Sequence, residues 1–400
     1  MLIETPYKQL LAVVLTLISV LPVQAAKWSG NVTSEYRYFP RNPVDPRQHG
    51  NNLSISMQTE YYQEWDKGRQ SLTVTPFLRI DENDSQRSHF DLREFTWVKA
   101  SNTWELRIGM RKVFWGVAES QHLVDIINQT DLVENLDQED KLGQAMINLA
   151  LIRNWGTVDL FVLPGFRERT FPGIGGRLRT PLPIDSSQSR YASSRGKKRV
   201  DVAVRWSHTL GDWDLGLYHF TGTSREPRLI PGRNARGEPV LIPLYEVIDQ
   251  TGLDIQATKG NWLWKLEAIS RSGQEKRFQA AVGGFEYTFY GLAHSPKDLG
   301  LVAEYHYDSR GSTAPTPFQD DLMLGLRLTW NDAQSTEALI GVIVDRQSRA
   351  RFYNIEASRR IGKRFKLTLE GRAFVAIPAN DPLFSIRDDD YMQVELAYYF

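Results

Sequence analysis

The segment 113–140 carries seven carboxylates, Glu119, Asp125, Asp131, Glu134, Asp137, Glu139 and Asp140, and neither lysine nor arginine. The next long polar segment, 166–199, reverses the sign. It holds Arg167, Arg169, Arg177, Arg179, Arg190, Arg195, Lys197, Lys198 and Arg199 against Glu168 and Asp185, so the two segments carry net −7 and +7. Carboxylates held in a confined aqueous space set up a field that sorts solutes by charge and dipole. The run Asp137-Gln138-Glu139-Asp140 offers hard oxygen ligands, but it lacks the glycine and spacing of a calcium loop, and no metal is expected. Hydrolysis would need a histidine base oriented on a nucleophile. Of the seven histidines, His122 lies close to a serine in Ser120-x-His122, inside the acidic loop, and His208 and His219 sit near strand ends. Gly173-x-Gly175-Gly176 follows Pro172 in a loop rather than opening a helix, so it is a turn and not a phosphate cradle. Neither catalysis nor a cofactor is expected.

Composition narrows the setting. The 400 residues contain no cysteine and balance to a formal charge of zero. Disulfides and thiolate chemistry are excluded, and nucleic acid, which needs a basic face, is not an expected partner. Tyrosine and tryptophan number 16 and 11, rings suited to a boundary between apolar and aqueous layers. The N-terminus reads as an export signal: Lys8, the apolar run Leu10 to Leu21, then Val23-Gln24-Ala25, with cleavage expected after Ala25. The division is therefore 1–25 as signal and 26–400 as one domain. The longest later apolar runs, Ala145–Ile152 and Ala338–Val344, are too short to cross a bilayer as helices.

What positions the charged segments is a repeated alternation at period two. Trp28, Val32, Tyr36 and Tyr38 share one parity, against Glu35 and Arg37 on the other. Val200, Val202, Val204 and Trp206 oppose Asp201 and Arg205, and Leu322, Leu324, Leu326 and Leu328 oppose Arg327. About eighteen such strands can be drawn, with sixteen as the alternative count. Tight connections at 66–69, 101–102, 154, 211, 260 and 362–363 alternate with long ones at 40–50, 113–142, 165–198, 223–249, 309–319 and 376–388. An all-β, closed antiparallel transmembrane barrel with short periplasmic turns and long extracellular loops has this rhythm. Its polar parity would line a water-filled lumen. Candidate wall residues are Arg37, Arg79, Arg93, Arg107, Arg111, Arg205, Arg327 and Arg372, with Glu35, Glu60, Asp81, Glu105, Glu304, Glu370 and Glu395 on the same face. Met392, Val394, Leu396, Tyr398 and Phe400 form one unbroken apolar face at the end of the chain, resembling the signal by which bacterial outer-membrane barrels are recognised for assembly.

Leu106-Arg107-Ile108-Gly109-Met110-Arg111-Lys112, then Trp115-Gly116, then Asn128-Gln129-Thr130-Asp131, resembles a segment of several bacterial porin-like families. Those families often carry proline where Gln129 stands here. The resemblance implies the Gram-negative outer membrane and a passive channel for small hydrophilic solutes. In such channels a long loop folds inward, and 113–142 is the candidate, its acids facing the wall arginines. The expected partners are membrane lipid, lipopolysaccharide, barrel-assembly machinery, the solutes themselves and two further copies in a homotrimer; the basic stretch 190–199 either keeps its loop solvated, the favoured reading, or meets lipopolysaccharide phosphates. The alternatives are a specific uptake channel for apolar or amphipathic molecules, with capture at Leu241–Ile248, and an outer-membrane barrel hydrolase.

Overall fold

Side chains of one strand parity face outward and those of the other face inward, so the alternation in the sequence becomes the two surfaces of a single curved wall. The computed structural model describes residues 26–400, and the expected export signal at 1–25 lies outside the described residues. The strands are β1 (Lys27–Tyr38), β2 (Asn51–Trp65), β3 (Gln70–Asp81), β4 (His89–Ala100), β5 (Trp104–Arg111), β6 (Gln144–Arg153), β7 (Gly156–Pro164), β8 (Arg190–Tyr191), β9 (Val200–Leu210), β10 (Trp213–Thr223) and β11 (Arg228–Arg233). They continue with β12 (Pro239–Tyr245), β13 (Val247–Lys259), β14 (Trp262–Gly273), β15 (Glu275–Phe289), β16 (Asp298–Asp308), β17 (Asp320–Thr329), β18 (Glu337–Asp345), β19 (Arg351–Ile361), β20 (Phe365–Val375) and β21 (Tyr391–Tyr399).

Eighteen of these pair antiparallel, each with its neighbours in the chain, and β21 returns to β1 to close the barrel. The expected count is met, and the expected strand positions agree to within a few residues. The remaining three, β8, β11 and β12, form a small separate sheet built from the loops after β7 and β10. The sequence reading did not anticipate it.

Closure is sealed at the backbone. Gly30 and Phe400 exchange both N–H···O bonds at 3.1 Å, and the ladder runs on from Asn31 opposite Tyr399 to Tyr38 opposite Met392. No strand edge is left for lipid to solvate, which is the condition for crossing a bilayer with strands. Tight turns fall where the spacing placed them, with Gly211, Gly260 and Gly362 taking left-handed φ of 60°, 61° and 64°. The ladder shifts register between Thr75 and Pro76, where proline supplies no N–H, and again between Arg271 and Gly273.

The outer surface is apolar. Val200, Val202, Val204, Leu322, Leu324, Leu326, Met392, Val394 and Leu396 are all exposed on it, as the face of a lipid-embedded barrel must be. Among the described residues no helix is long and apolar enough to cross a membrane. The inner surface departs from a uniformly wet lumen. Met146, Phe161, Ala203, Tyr218, Phe220, Ile248, Ile269 and Phe278 are buried in one apolar cluster with Trp115, Val124, Ile126 and Ile127 of the loop 112–143. Apolar surface buried this way is removed from water at about 25 cal/mol per Å².

Candidate functional site

The loop between β5 and β6 is bound to the inner wall at widely separated strands. At its neck, Asn128 ties both stems: its Oδ1 accepts from Val113 N at 2.8 Å, and its Nδ2 donates to Arg111 O and Leu142 O, each at 2.8 Å. Residues 130–141 fold back as a hairpin, with Asp131 N donating to Asp140 O at 2.8 Å. From this neck one arm reaches β14, β16 and β17, and the hairpin reaches β3, β4 and β20.

Wall carboxylates hold the first arm. Glu267 of β14 is fully buried and accepts three backbone N–H groups, from Val117 at 2.7 Å, Ala118 at 3.0 Å and Val124 at 3.1 Å. Glu304 of β16 accepts from Glu119 N at 2.7 Å, Ser120 N at 2.9 Å and Ser120 Oγ at 2.5 Å. Hydrogen bonds to an ionised acceptor are roughly twice as strong as neutral ones. Glu267 escaped the sequence reading, although its parity in β14, opposite the exposed Trp262, Trp264 and Leu266, carries the signal. Beside these anchors, Trp115 packs at 4.8 Å from the Tyr218 ring with the Arg205 guanidinium 5.0 Å from its centroid.

Four acidic residues of the loop meet arginines of the wall. Glu119 lies 2.7 Å from Arg327 and 3.4 Å from Lys265, Asp131 lies 2.7 Å from Arg93, Glu134 lies 2.8 Å from Arg79, and Asp137 lies 3.1 Å from Arg372. The other three do not. Asp125 pairs with Lys141 of its own loop at 3.0 Å, Glu139 lies 3.9 Å from His122, and Asp140 is exposed without a cationic partner within 4.0 Å. The remaining wall candidates have partners on the wall itself: Arg37 with Glu35 and Gln393, Arg107 with Glu105 and Asp159, Arg111 with Asn148, and Arg205 with Asp254. Arg87, at the top of the β3–β4 connection, was not singled out from the sequence. It is buried, binding Glu35 at 2.7 Å, Asp81 at 3.0 Å and Val133 O at 2.8 Å.

These placements sort the acids by chemistry. Asp131 and Glu134 are buried in ion pairs, whereas Glu139 and Asp140 are open to water beside them. Asp140 keeps a water-exposed surface but is ringed by protein, and this partial loss of water pushes its carboxyl up to about 7, helped by the negative charges of Glu134, Asp137 and Asp131 and opposed by Arg93. Enclosure also raises Asp137, against the pull of Arg372. His89 Nε2 approaches Asp131 and Glu134 at 3.8 Å each, a trio with metal-ligand types. Both carboxylates already neutralise Arg93 and Arg79, so the trio offers a cation little net charge.

The other expected features resolve differently. Met392, Val394, Leu396 and Phe400 all point outward and are exposed, with Tyr398 on the same face and packed against Phe365. Val240, Ile242, Tyr245 and Ile248 are buried, so the stretch 241–248 packs against protein and does not present the expected apolar capture surface. Phe166, Tyr191 and Tyr245 form an aromatic group there, with the Tyr191 and Tyr245 rings stacked at 5.5 Å. The basic loop after β7 lies across the barrel's extracellular end. Its Arg177 binds Asp389 at 2.6 Å and its Arg179 binds Asp45 at 2.7 Å, while Lys197 and Lys198 stay exposed.

No protein-family model and no curated protein sequence matches this chain. Solved structures do. Wzi, an Escherichia coli outer-membrane protein described as involved in group 1 capsule assembly and as a carbohydrate-binding β-barrel, superposes with a TM-score of 0.55 at 10% identity, covering 99% of this chain and 89% of its own. A loop-deletion mutant of Vibrio cholerae OmpT gives 0.49 at 7% identity over 94% and 99% of the two chains. A mutant of the Rh. blastica porin gives 0.46 at 9% identity over 94% and 100%. The closed wall of eighteen strands, its apolar outer face and the likeness to Wzi place this chain, by fold, among the outer-membrane β-barrels.

Proposed function

We propose that the barrel is an outer-membrane channel for small hydrophilic solutes, narrowed by the loop 113–142. One observation carries this reading: the loop folds inward yet keeps the carboxylates of Glu139 and Asp140 exposed to water. Water-exposed carboxylates on an inward loop favour passage of solutes that are small and polar. Purified protein in planar bilayers tests it. A steady open conductance supports the channel, and persistent electrical silence at high protein density removes it.

A second reading, a closed barrel that binds carbohydrate, draws on the apolar cluster joining the loop to β6, β7, β9, β10, β13, β14 and β15. The description of Wzi as carbohydrate-binding favours the same reading. Silence in the bilayer together with saturable saccharide binding would establish it. Catalysis is the weakest reading. Ser120 Oγ touches His306 Nε2 at 2.6 Å, but the carboxylate of Glu304 binds the serine and its loop, while His306 Nδ1 has no partner to orient the ring as a base.

A further inference from the structure

The short turns of an outer-membrane barrel face the periplasm, and one of them is strongly basic. Arg359-Arg360-Ile361-Gly362-Lys363-Arg364-Phe365-Lys366 joins β19 to β20 with five cations and no carboxylate. The neighbouring turn and the start of β18 carry the opposite sign, with Asp332 and Glu337. Those two carboxylates are taken up elsewhere. Asp332 accepts from Thr336 N at 2.9 Å and Thr336 Oγ1 at 2.7 Å, and Glu337 accepts from Ser358 Oγ at 3.0 Å. Among the described residues none of the five cations forms an ion pair.

Strand parity divides the five. Arg360 and Lys366 stand opposite one another on the lumen side. Arg359 has the lipid-facing parity, in the row of Ile355 and Ile361 and opposite Leu367. Arg364 reaches the same face, where its Nη1 donates to Tyr398 Oη at 2.8 Å. Around these two guanidinium groups the outer surface is apolar: Ile361, Phe365 and Leu369 are exposed, and the Phe365 ring lies 5.2 Å from that of Tyr398.

An arginine so placed lays its stem along apolar surface and holds its head at the depth of lipid headgroups. Cations clustered beside a bilayer attract anionic headgroups. A protein partner in the periplasm would meet the tip of the turn, whereas Arg359 stands within β19 among side chains that face lipid. We propose that this rim binds one anionic phospholipid of the periplasmic leaflet, its phosphate on Arg359 and Arg364 and its acyl chains along Ile361, Phe365 and Leu369. The site lies on the outside of the wall, so it stands whether or not the lumen conducts.

Native mass spectrometry of the folded protein, released from detergent containing equal phosphatidylglycerol and phosphatidylcholine with identical chains, tests this. The expected result is one retained phosphatidylglycerol, favoured about tenfold over phosphatidylcholine. Arg359→Gln combined with Arg364→Gln should abolish that preference. Arg360→Gln combined with Lys366→Gln removes the same charge from the lumen side and should keep it. Heat-modifiable gel mobility would confirm that both double variants are folded. An excess of glycerol phosphate, which has the phosphate without the chains, should leave the lipid in place. Absence of the preference in wild-type protein, its survival in the Arg359 and Arg364 double variant, equal loss in both double variants, or displacement by glycerol phosphate would each overturn the proposal.

Discussion

At the scale of single residues, carboxylates a few positions apart on the same loop serve opposite purposes. Asp131 is buried against Arg93, with Thr170 Oγ1 donating to it at 2.6 Å, so it supports structure. Asp131→Ala would leave Arg93 without a close carboxylate, Asp91 lying 3.7 Å and Glu134 4.0 Å away. Removing one partner of a buried pair costs about 3 kcal/mol or more. Urea unfolding followed by tryptophan fluorescence should show that loss for Asp131→Ala, whereas Asp140→Asn, which removes a carboxylate that the fold disfavours, should raise the midpoint at neutral pH. Asp140 instead titrates. With its carboxyl at about 7 in the fold and 3.8 as its ordinary value, the folded chain holds a proton that the unfolded chain releases between those pH values. Stability therefore declines as pH rises across that window and levels off above it. The same titration should appear in selectivity: raising pH from 6 to 8 ionises Asp140 and moves the reversal potential toward cation preference. An identical shift in Asp140→Asn would show that another group is responsible.

Elements explain why the loop stays inside. The backbone of 117–124 has no secondary structure of its own to satisfy its N–H groups, so Glu267 and Glu304 satisfy them. Glu267→Ala strips three acceptor contacts at once, each worth about 1.5–3 kcal/mol when the acceptor is charged. The first arm of the loop should detach, and limited trypsin digestion should then cut at Lys141, which is buried in the native fold. Resistance equal to wild type would mean that the apolar cluster alone holds the loop. Strand positions were legible from alternation because each strand presents one parity to lipid. The loop's acidic character was legible too. Its partners were not, because Glu119 meets Arg327 and Asp137 meets Arg372 only after the wall has curved shut. One clue was present: the run Ala145–Ile152 in β6 is apolar on its outer parity and, Asn148 apart, on its inner parity too, with the inner side chains Met146 and Ala150 buried. A strand apolar on both faces is covered on both faces, by lipid outside and by protein inside.

For the whole molecule, the loop joins parts of the wall that are otherwise far apart. It bonds to β3, β4 and β20 near the seam, and to β14, β16 and β17 across the lumen. A barrel with an empty lumen can be peeled from a membrane one hairpin after another, since each hairpin touches only its neighbours. This one is cross-braced. Pulled from its C-terminal end by a force probe, wild-type protein should hold β14 to β17 until the brace gives and then release them in one large step. Glu267→Ala should restore a staircase of smaller steps. A stepwise pattern in both would mean that the brace carries no mechanical load. A loop bound to both sides of the inner wall is thus expected to set how much force the wall withstands.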